Sequence, residues 1–266
     1  MRRLVIAHTA IFGAWLVLLL LWRDGHWMLR IANQHGPGLL VWSAVVALAA
    51  AVVIRRAGVV VTATLPLLIL GALYLPYFVP GDDPRGGHAD LRVMTFNILN
   101  NNDDIDAMAT VINTSGADVV AIQELREERV DALVALLADR YPHVVLAPPA
   151  RGGTTALAST RPFIDEAIID PGVDRPVVVG TVEIADRPVT ILSAHFLPSH
   201  YALQEPLRQR SAALGNWVDD QMREVAMILA EIADRPEVVV LACDCNATDT
   251  HRGEPSVVRG FRRPDS

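Results

Sequence analysis

Apolar and polar positions follow different patterns in the first third of the chain and in the remainder. Before residue 80 the apolar residues form three stretches free of Asp, Glu, Lys and Arg, over residues 4–22, 38–54 and 59–79. Because a helix rises about 1.5 Å per residue, stretches of this length approach or match a bilayer core about 30 Å thick. The pattern therefore predicts a membrane anchor over residues 1–80 with three transmembrane helices.

The arginines around these stretches predict how such helices would be oriented. The pairs Arg2-Arg3 and Arg55-Arg56 fall on one side of a bilayer, and the side that carries more arginine faces the cytoplasm. The prediction is a multi-pass protein of the cell membrane, held in the lipid bilayer by three spans, with the following domain outside the cytoplasm. A cleaved signal peptide over the first stretch is the alternative, although no small-residue cleavage site follows it.

A linker and a second domain are predicted after the apolar region. Residues 81–90 are rich in glycine, proline and aspartate, which is typical of a flexible connection. Short apolar runs then alternate with segments of helical periodicity, so residues 91–250 are predicted to form an α/β domain. Residues 251–266 carry four arginines and two prolines without any periodicity, which predicts an irregular tail.

The strands and helices of this domain are predicted from the period of their apolar residues. Strands are expected at Leu91–Phe96, Asp118–Gln123, His143–Ala147, Thr154–Ser159, Pro176–Ile184, Pro188–Ala194 and Glu237–Ala242. Helices are expected at Asp103–Thr114, near Glu127–Asp139 and within Glu205–Ala233.

Composition excludes several classes of protein. With 52% apolar residues, 20% charged residues and a mean hydropathy of +0.31, the chain is too apolar to be intrinsically disordered. Its two cysteines are too few for a disulfide scaffold or a four-thiolate zinc site.

The charge is divided unevenly along the chain, since residues 1–80 carry six arginines and one aspartate whereas residues 81–266 have a net charge of −12. Such an acidic second part lacks the basic surface with which proteins grip a long nucleic acid.

Polar side chains follow four of the predicted strands. Asn97 and Glu124 follow the first two strands, His195 follows a later one, and Asp244 and Asn246 follow the last. Each has an ordinary explanation by itself, as a turn residue, a helix-terminal acid or a buried histidine. Because strand ends in a layered fold can converge on one cleft, their joint occurrence predicts a functional site.

The residues around these positions resemble a known family over about residues 91–250. In order and spacing the chain resembles the endonuclease/exonuclease/phosphatase superfamily at four motifs: Met-Thr-Phe-Asn-Ile-Leu from Met94, Gln-Glu from Gln123, Ala-His-Phe-Leu-Pro from Ala194 and Asp-Cys-Asn-Ala from Asp244. The resemblance implies an α/β two-layer sandwich of mixed β-sheets flanked by helices, with its active site at one edge. The expected fold class is this sandwich, preceded by three N-terminal transmembrane α-helices.

The resemblance implies metal-assisted hydrolysis of phosphodiester or phosphomonoester bonds. Glu124, with Asn97 beside it, would hold Mg²⁺ or Mn²⁺ through oxygen ligands. Asp244 would position or deprotonate the attacking water, and Asn246 and His195 would donate hydrogen bonds to the phosphoryl oxygens. The substrate would be a phosphate ester from a nucleic acid, a lipid or a small molecule, and no stable protein partner is predicted.

The chain departs from the family pattern on its C-terminal side. Cys243-Asp244-Cys245-Asn246 stands in place of the usual Gly-Asp-Phe-Asn, and the two cysteines are expected to remain unpaired because a bridge between them would strain an extended chain. Only 20 residues follow Asn246, and none supplies the closing Ser-Asp-His of the family. An incomplete domain that binds a metal ion but hydrolyses weakly is therefore expected. The alternative function is that of a truncated, inactive homologue acting as a membrane-bound binding protein.

Overall fold

A computed structural model describes residues 2–22, 28–29, 32, 38, 41–42, 44–45, 48–49, 52–53, 55, 57–75, 90–233, 235 and 238–246 of the chain. The described residues form two compact units, one before residue 88 and one after it. The predicted linker at 81–90 lies outside the described residues except for Asp90, and so does the whole predicted tail at 251–266. The expected incompleteness of the domain also falls on the residues after Asn246, outside this description.

Two apolar helices make up most of the described part of the first unit. Helix α1 spans Arg2–Trp22 and helix α2 spans Ala57–Tyr74. Phe12 and Trp15 lie on one face of α1, because positions three apart are neighbours on a helix, and they pack with Leu70 of α2. Contact between the two helices therefore buries part of their apolar surface.

Among the described residues, no helix combines the length and the apolar character needed to cross a membrane. The three transmembrane helices predicted over 4–22, 38–54 and 59–79 are therefore wrong, as are the lipid bilayer as a partner and the multi-pass location in the cell membrane with an extracytoplasmic domain. A hydropathy pattern counts apolar residues along the sequence, whereas a span requires one continuous helix of that length and character. The stretch at 38–54 lies partly outside the described residues, and α2 begins and ends before the third predicted span does.

The described residues of the second unit form two four-stranded β-sheets. The first sheet comprises β1 (Val93–Asn97), β2 (Val119–Leu125), β3 (His143–Leu146) and β4 (Thr154–Ser159), in the order β1-β2-β4-β3. The second comprises β5 (Phe163–Ile169), β6 (Val177–Ile184), β7 (Arg187–His195) and β8 (Val238–Asp244), in the order β5-β6-β7-β8. Both sheets are mixed, because β1 pairs with β2 and β7 with β8 in parallel while the other neighbours are antiparallel.

Helices accompany both sheets in this unit. They are α3 (Ile105–Thr114), α4 (Glu127–Leu137), α5 (His200–Gln204) and α6 (Leu207–Ile232). Ile112 of α3 and Leu133 of α4 pack with Ile122 of the first sheet, and Ile228 of α6 packs with Leu192 of the second. The two-layer sandwich of mixed sheets with flanking helices, which the sequence predicted, is therefore present.

Strand β2 is apolar on both faces, which explains its uninterrupted apolar sequence. Successive side chains of a strand point to opposite faces, so Val119 packs with Val178 between the sheets while Val120 packs against the helices. At the end of this run Gln123 has no exposed surface, and its Nε2 donates to Oγ of Ser193 in the second sheet at 3.2 Å. The strand is therefore fixed on both faces up to the residue before Glu124.

The structure adds two elements that the sequence did not predict, β5 and α5. β5 lies at the edge of the second sheet with Ile164, Asp165 and Glu166 exposed in succession, so it lacks the alternation that marks a half-buried strand. α5 has only five residues, too few to establish a helical period. The other elements of this unit agree with the predictions to within two residues at each end.

Candidate active site

Four of the five predicted site residues meet where the parallel strand pairs end. Asn97 ends β1 and Glu124 lies near the end of β2, while His195 and Asp244 are direct partners at the ends of β7 and β8. One carboxylate oxygen each from Glu124 and Asp244 and one ring nitrogen of His195 all lie within 4.8 Å of one another. Parallel strands bring their carboxyl ends to the same edge, so this juxtaposition follows from the topology. The fifth residue, Asn246, hydrogen-bonds to Asp244.

A bulge in β2 directs Glu124 toward the site. The pairing of β2 with β4 shifts between Ile122 and Leu125, and Glu124 has a φ of +62°, in the left-handed region that residues other than glycine seldom adopt. Gly153 lies against this bend, where a Cβ atom would be 2.6 Å from the carbonyl carbon of Glu124. The backbone of the glutamate can therefore take this conformation only because residue 153 has no side chain.

Asn97 lies between the two carboxylates. Its Nδ2 donates to Oε1 of Glu124 at 2.9 Å and to Oδ2 of Asp244 at 2.7 Å. Its Oδ1 accepts a hydrogen bond from the backbone N–H of Leu99 at 2.9 Å, and the second oxygen of Glu124 accepts from the N–H of Asn100 at 2.9 Å. Asn97 therefore presents its donor end to the acidic pair, whereas the predicted ligand role would use the oxygen that contacts Leu99.

His195 is buried beside the two acids. Its side chain is 4% exposed, and its Nε2 lies 3.6 Å from Oε1 of Glu124 and 3.9 Å from Oδ2 of Asp244. Burial, reinforced by the nearby Arg175 guanidinium, lowers the pKa of His195 to about 4, against the raising effect of the two carboxylates. The imidazole is therefore neutral at neutral pH and does not offset the charge of the acids.

Arg175 is a residue of the site that the sequence analysis missed. Its side chain is buried, its Nη1 donates to Nδ1 of His195 at 2.8 Å, and its Nη2 donates to the hydroxyl of Tyr201 at 3.3 Å. In the sequence it is one of 23 arginines, placed in a polar turn before β6, and nothing around it indicates burial. Tyr201 was missed as well, because the short helix α5 that carries it was not predicted.

The chain turns directly after Asp244. The N–H of Asn246 donates to Oδ1 of Asp244 at 3.1 Å, and Nδ2 of Asn246 donates to the carbonyl of Phe196 at 2.8 Å. Cys243 and Cys245 form a disulfide across this turn, with their Cα atoms 5.1 Å apart, so the expectation that they remain unpaired is wrong. The reason is that the chain leaves the extended conformation, in which residues two apart lie about 6.6 Å from each other.

Helix α6 fixes the segment that follows His195. The carbonyl of Leu197 accepts hydrogen bonds from Nε1 of Trp217 at 2.6 Å and from Nε2 of Gln221 at 2.7 Å, and its N–H donates to Oε2 of Glu224 at 3.3 Å. Glu224 is 1% exposed, and burial raises the pKa of its carboxyl group to about 8. The helix therefore holds Leu197 through a glutamate that is protonated at neutral pH.

Replacing Glu224 with glutamine is expected to stabilise the fold at alkaline pH. Between the ordinary pKa of 4.5 and the folded-state value of about 8, the carboxyl is protonated when folded and ionised when unfolded. Unfolding then releases a proton, so the stability of the parent protein falls as pH rises, on the order of 1.4 kcal/mol per pH unit. Glu224→Gln keeps an acceptor for Leu197 and removes this fall.

Urea unfolding of the parent and of Glu224→Gln at pH 5 and pH 8 tests this expectation. The free energies of unfolding should be similar at pH 5 and should favour the glutamine variant at pH 8. Asp219→Asn removes one charge from an exposed position of the same helix and serves as the matched control. A constant difference between the parent and Glu224→Gln at both pH values would contradict the expectation.

The donor set of the site fits a small, hard divalent cation. Glu124 and Asp244 offer carboxylate oxygens, which Mg²⁺ and Mn²⁺ prefer. Donor atoms within 4.8 Å of one another are close to the separations of about 3–4 Å around an ion with metal–oxygen distances of about 2.1 Å. Among the described residues no arginine forms an ion pair with either carboxylate, and the neutral His195 leaves their charge uncompensated.

Comparisons with known proteins agree with this arrangement at the level of the family. The model of the Endonuclease/Exonuclease/phosphatase family matches residues 94–258, which is more than half of the chain. No functionally curated protein shows significant similarity in sequence.

Solved structures with a similar fold each cover about two thirds of the chain. They include a D. rerio TDP2 humanised by 14 mutations (17% identity, TM-score 0.48, 64% of this chain and 67% of that chain) and a truncated Caenorhabditis elegans TDP2 (17%, 0.47, 66% and 66%). A third is sphingomyelinase C from Streptomyces griseocarneus (19%, 0.47, 66% and 71%). The chain thus spans just under two thirds of the C. elegans structure, and the family assignment rests on the family model alone.

Proposed function

The chain belongs to the endonuclease/exonuclease/phosphatase family, and from this premise we propose that it hydrolyses phosphoester bonds with a divalent metal ion held at Glu124. The activities in the family's name all cleave phosphoester bonds. The observation that carries the proposal is the convergence of Glu124, His195 and Asp244 within 4.8 Å at the ends of parallel strands. This convergence supplies the acidic ligands and the polar donors that such a reaction requires.

Some residues of the site would hold the metal ion, and the others would act on the attacking water and the phosphoryl group. Glu124 would hold Mg²⁺ or Mn²⁺, and Asn97, which contacts both carboxylates, would keep them at a fixed separation. When bound, the ion would stabilise negative charge that develops on the phosphoryl group. Asp244 would position or deprotonate the attacking water, and His195 and Asn246 would donate hydrogen bonds to phosphoryl oxygens.

Charge favours a small or lipid-borne phosphate ester as the substrate. Residues 81–266 have a net charge of −12, and an acidic surface repels a long polyanion. A substrate with one or two phosphates needs only the local field of the metal and the hydrogen-bond donors of the site. Parallel assays on single-stranded DNA, sphingomyelin and a small phosphodiester would distinguish these substrate classes.

Hydrolysis of bis(p-nitrophenyl) phosphate by the full chain tests the proposed chemistry. We expect release of p-nitrophenol that depends on added Mg²⁺ or Mn²⁺, stops on addition of EDTA and returns when the metal is restored. Hydrolysis that continues unchanged in EDTA would contradict the proposal. Ion binding without hydrolysis of any of these substrates would instead favour the alternative of a binding protein without turnover.

A further inference from the structure

Arg175 is a buried cation that has no acid within ion-pairing distance among the described residues, although its charge acts on the buried Glu224. Its side chain is 3% exposed, and among the described residues no carboxylate forms an ion pair with its guanidinium. Buried charged side chains are normally paired with an opposite charge, since an uncompensated charge in the interior is costly. Arg175 instead contacts Nδ1 of His195 and the hydroxyl of Tyr201.

The packing around Arg175 shows that this position is built for the guanidinium. A Cβ atom on Gly152 would lie 2.7 Å from Nη2 of Arg175, so glycine at 152 provides the space that the side chain occupies. The ring of Tyr201 lies 5.7 Å from the guanidinium carbon, within cation–π range. The loop at 152 and helix α5 thus hold the arginine against His195 from two sides.

The contact between Arg175 and His195 determines where the imidazole carries its proton. A guanidinium has donors but no acceptor, so the 2.8 Å contact requires a lone pair on Nδ1 of His195. A neutral imidazole has one N–H, which must then be on Nε2. An imidazolium would place a second positive charge beside Arg175. In the other neutral tautomer the N–H on Nδ1 would point at an N–H of Arg175, so two donors would face each other.

Nε2 is the ring atom that faces the two acids, at 3.6 Å from Glu124 and 3.9 Å from Asp244. We propose that Arg175 is a positioning residue that holds His195 in the Nε2–H tautomer, so that His195 donates a hydrogen bond into the site and does not ligate the metal. Coordination requires a lone pair on the ligating nitrogen, and in this tautomer Nε2 has none. That the accepting oxygen belongs to a phosphoryl group rests on the proposed function.

Long-range ¹H–¹⁵N correlation spectra of the full chain, labelled with ¹⁵N-histidine, measure the tautomer directly. The chain has eight histidines, and the resonances of His195 are assigned as those missing from His195→Gln. We expect a protonated Nε2 and an unprotonated Nδ1 at neutral pH, with and without added Mg²⁺. An imidazolium, an Nδ1–H tautomer, or loss of the Nε2 proton on addition of Mg²⁺ would overturn the proposal, and none of these readouts depends on activity.

Variants of Arg175 show whether this residue sets the tautomer. Arg175→Met removes the donor, so a substantial population of the Nδ1–H form is expected together with a fall in kcat/KM of about 10–100-fold. Arg175→Lys keeps a donor and is expected to keep the Nε2–H form and most of the activity. Tyr201→Phe, which removes the other partner of Arg175 and leaves the contact with His195, is the matched control for the tautomer.

The two readouts separate this proposal from the proposed function. If Arg175→Met folds and keeps the tautomer of the parent, Arg175 does not determine it and the proposal is overturned. If Arg175→Met does not fold, the Arg175→Lys spectrum decides, since loss of the Nε2–H form there also overturns the proposal. If the tautomers behave as expected while no phosphoester is hydrolysed, the positioning role stands and the proposed function fails.

Discussion

Replacing Glu124 with glutamine is expected to abolish measurable divalent-ion binding and to lower phosphoester hydrolysis by about 10³-fold. The substitution conserves size but removes the negative charge that a dication requires. It also places an amide nitrogen where both oxygens of Glu124 now accept hydrogen bonds, from Asn97 and from the N–H of Asn100. One of these contacts would become a donor facing a donor, so the geometry of the site would be disturbed as well.

Isothermal titration calorimetry with Mg²⁺ and Mn²⁺, together with the hydrolysis assay, checks this expectation. Glu183→Gln is the matched control, because Glu183 is an exposed glutamate on β6 of the same unit. The control should bind the ion and hydrolyse substrate like the parent. Ion binding by Glu124→Gln with the affinity of the parent would show that Glu124 is not the principal ligand.

The positions of the site residues could be predicted because they depend on local patterns along the chain. Short apolar runs mark strands, and the polar residue that follows such a run lies at the end of the strand. Parallel pairing places Asn97 beside Glu124 at the end of the first sheet and His195 beside Asp244 at the end of the second, and the stacking of the two sheets brings these pairs together. The two-sheet fold and the convergence of these side chains are therefore properties of the pattern.

The orientation of the same side chains could not be predicted, because it depends on contacts between residues far apart in the sequence. The bulge that turns Glu124 toward the site needs the empty space at Gly153 in another loop. The amide of Asn97 faces Asp244, 147 residues away, with its nitrogen rather than its oxygen. A sequence motif specifies which groups are present and leaves open which atom each group presents.

Buried charged residues were missed for a related reason. Arg175 and Glu224 belong to residue types that are mostly exposed, so by composition alone each would be assigned to the surface. Their burial results from tertiary packing, of α6 in the case of Glu224 and of the loop at 152 in the case of Arg175. The N-terminal apolar stretches led to a different error. Their apolar pattern predicts membrane-spanning helices, whereas no described helix is long and apolar enough to cross a membrane.

Asp244→Asn tests whether Asp244 acts on water or mainly holds the metal. As the group that positions or deprotonates water, Asp244 is expected to contribute about 10²–10⁴-fold to the rate, because an amide cannot accept a proton from the nucleophile. The asparagine has one acceptor oxygen where Asp244 has two, so it can keep the hydrogen bond from the N–H of Asn246 and with it the turn, but its amide nitrogen would then face Nδ2 of Asn97. Glu124 would still bind the ion, and metal affinity should fall far less than the rate does.

Rates measured as a function of Mg²⁺ concentration separate the two roles of Asp244. If Asp244 acts on water, the variant remains slow at saturating Mg²⁺, whereas loss of a metal ligand alone would be overcome by raising the concentration of the ion. Asp219→Asn, at an exposed position on α6, controls for the loss of one negative charge. Full recovery of Asp244→Asn at high Mg²⁺ would assign Asp244 to the metal and would transfer the role of the base to another group.

Two other described side chains face the carboxylates of Glu124 and Asp244. His195 is neutral at neutral pH and Asn97 presents its donor nitrogen, so neither offers a negatively charged acceptor to the water. Within the described part of the chain, Asp244 is thus the acid that remains beside Glu124 when Glu124 holds the ion.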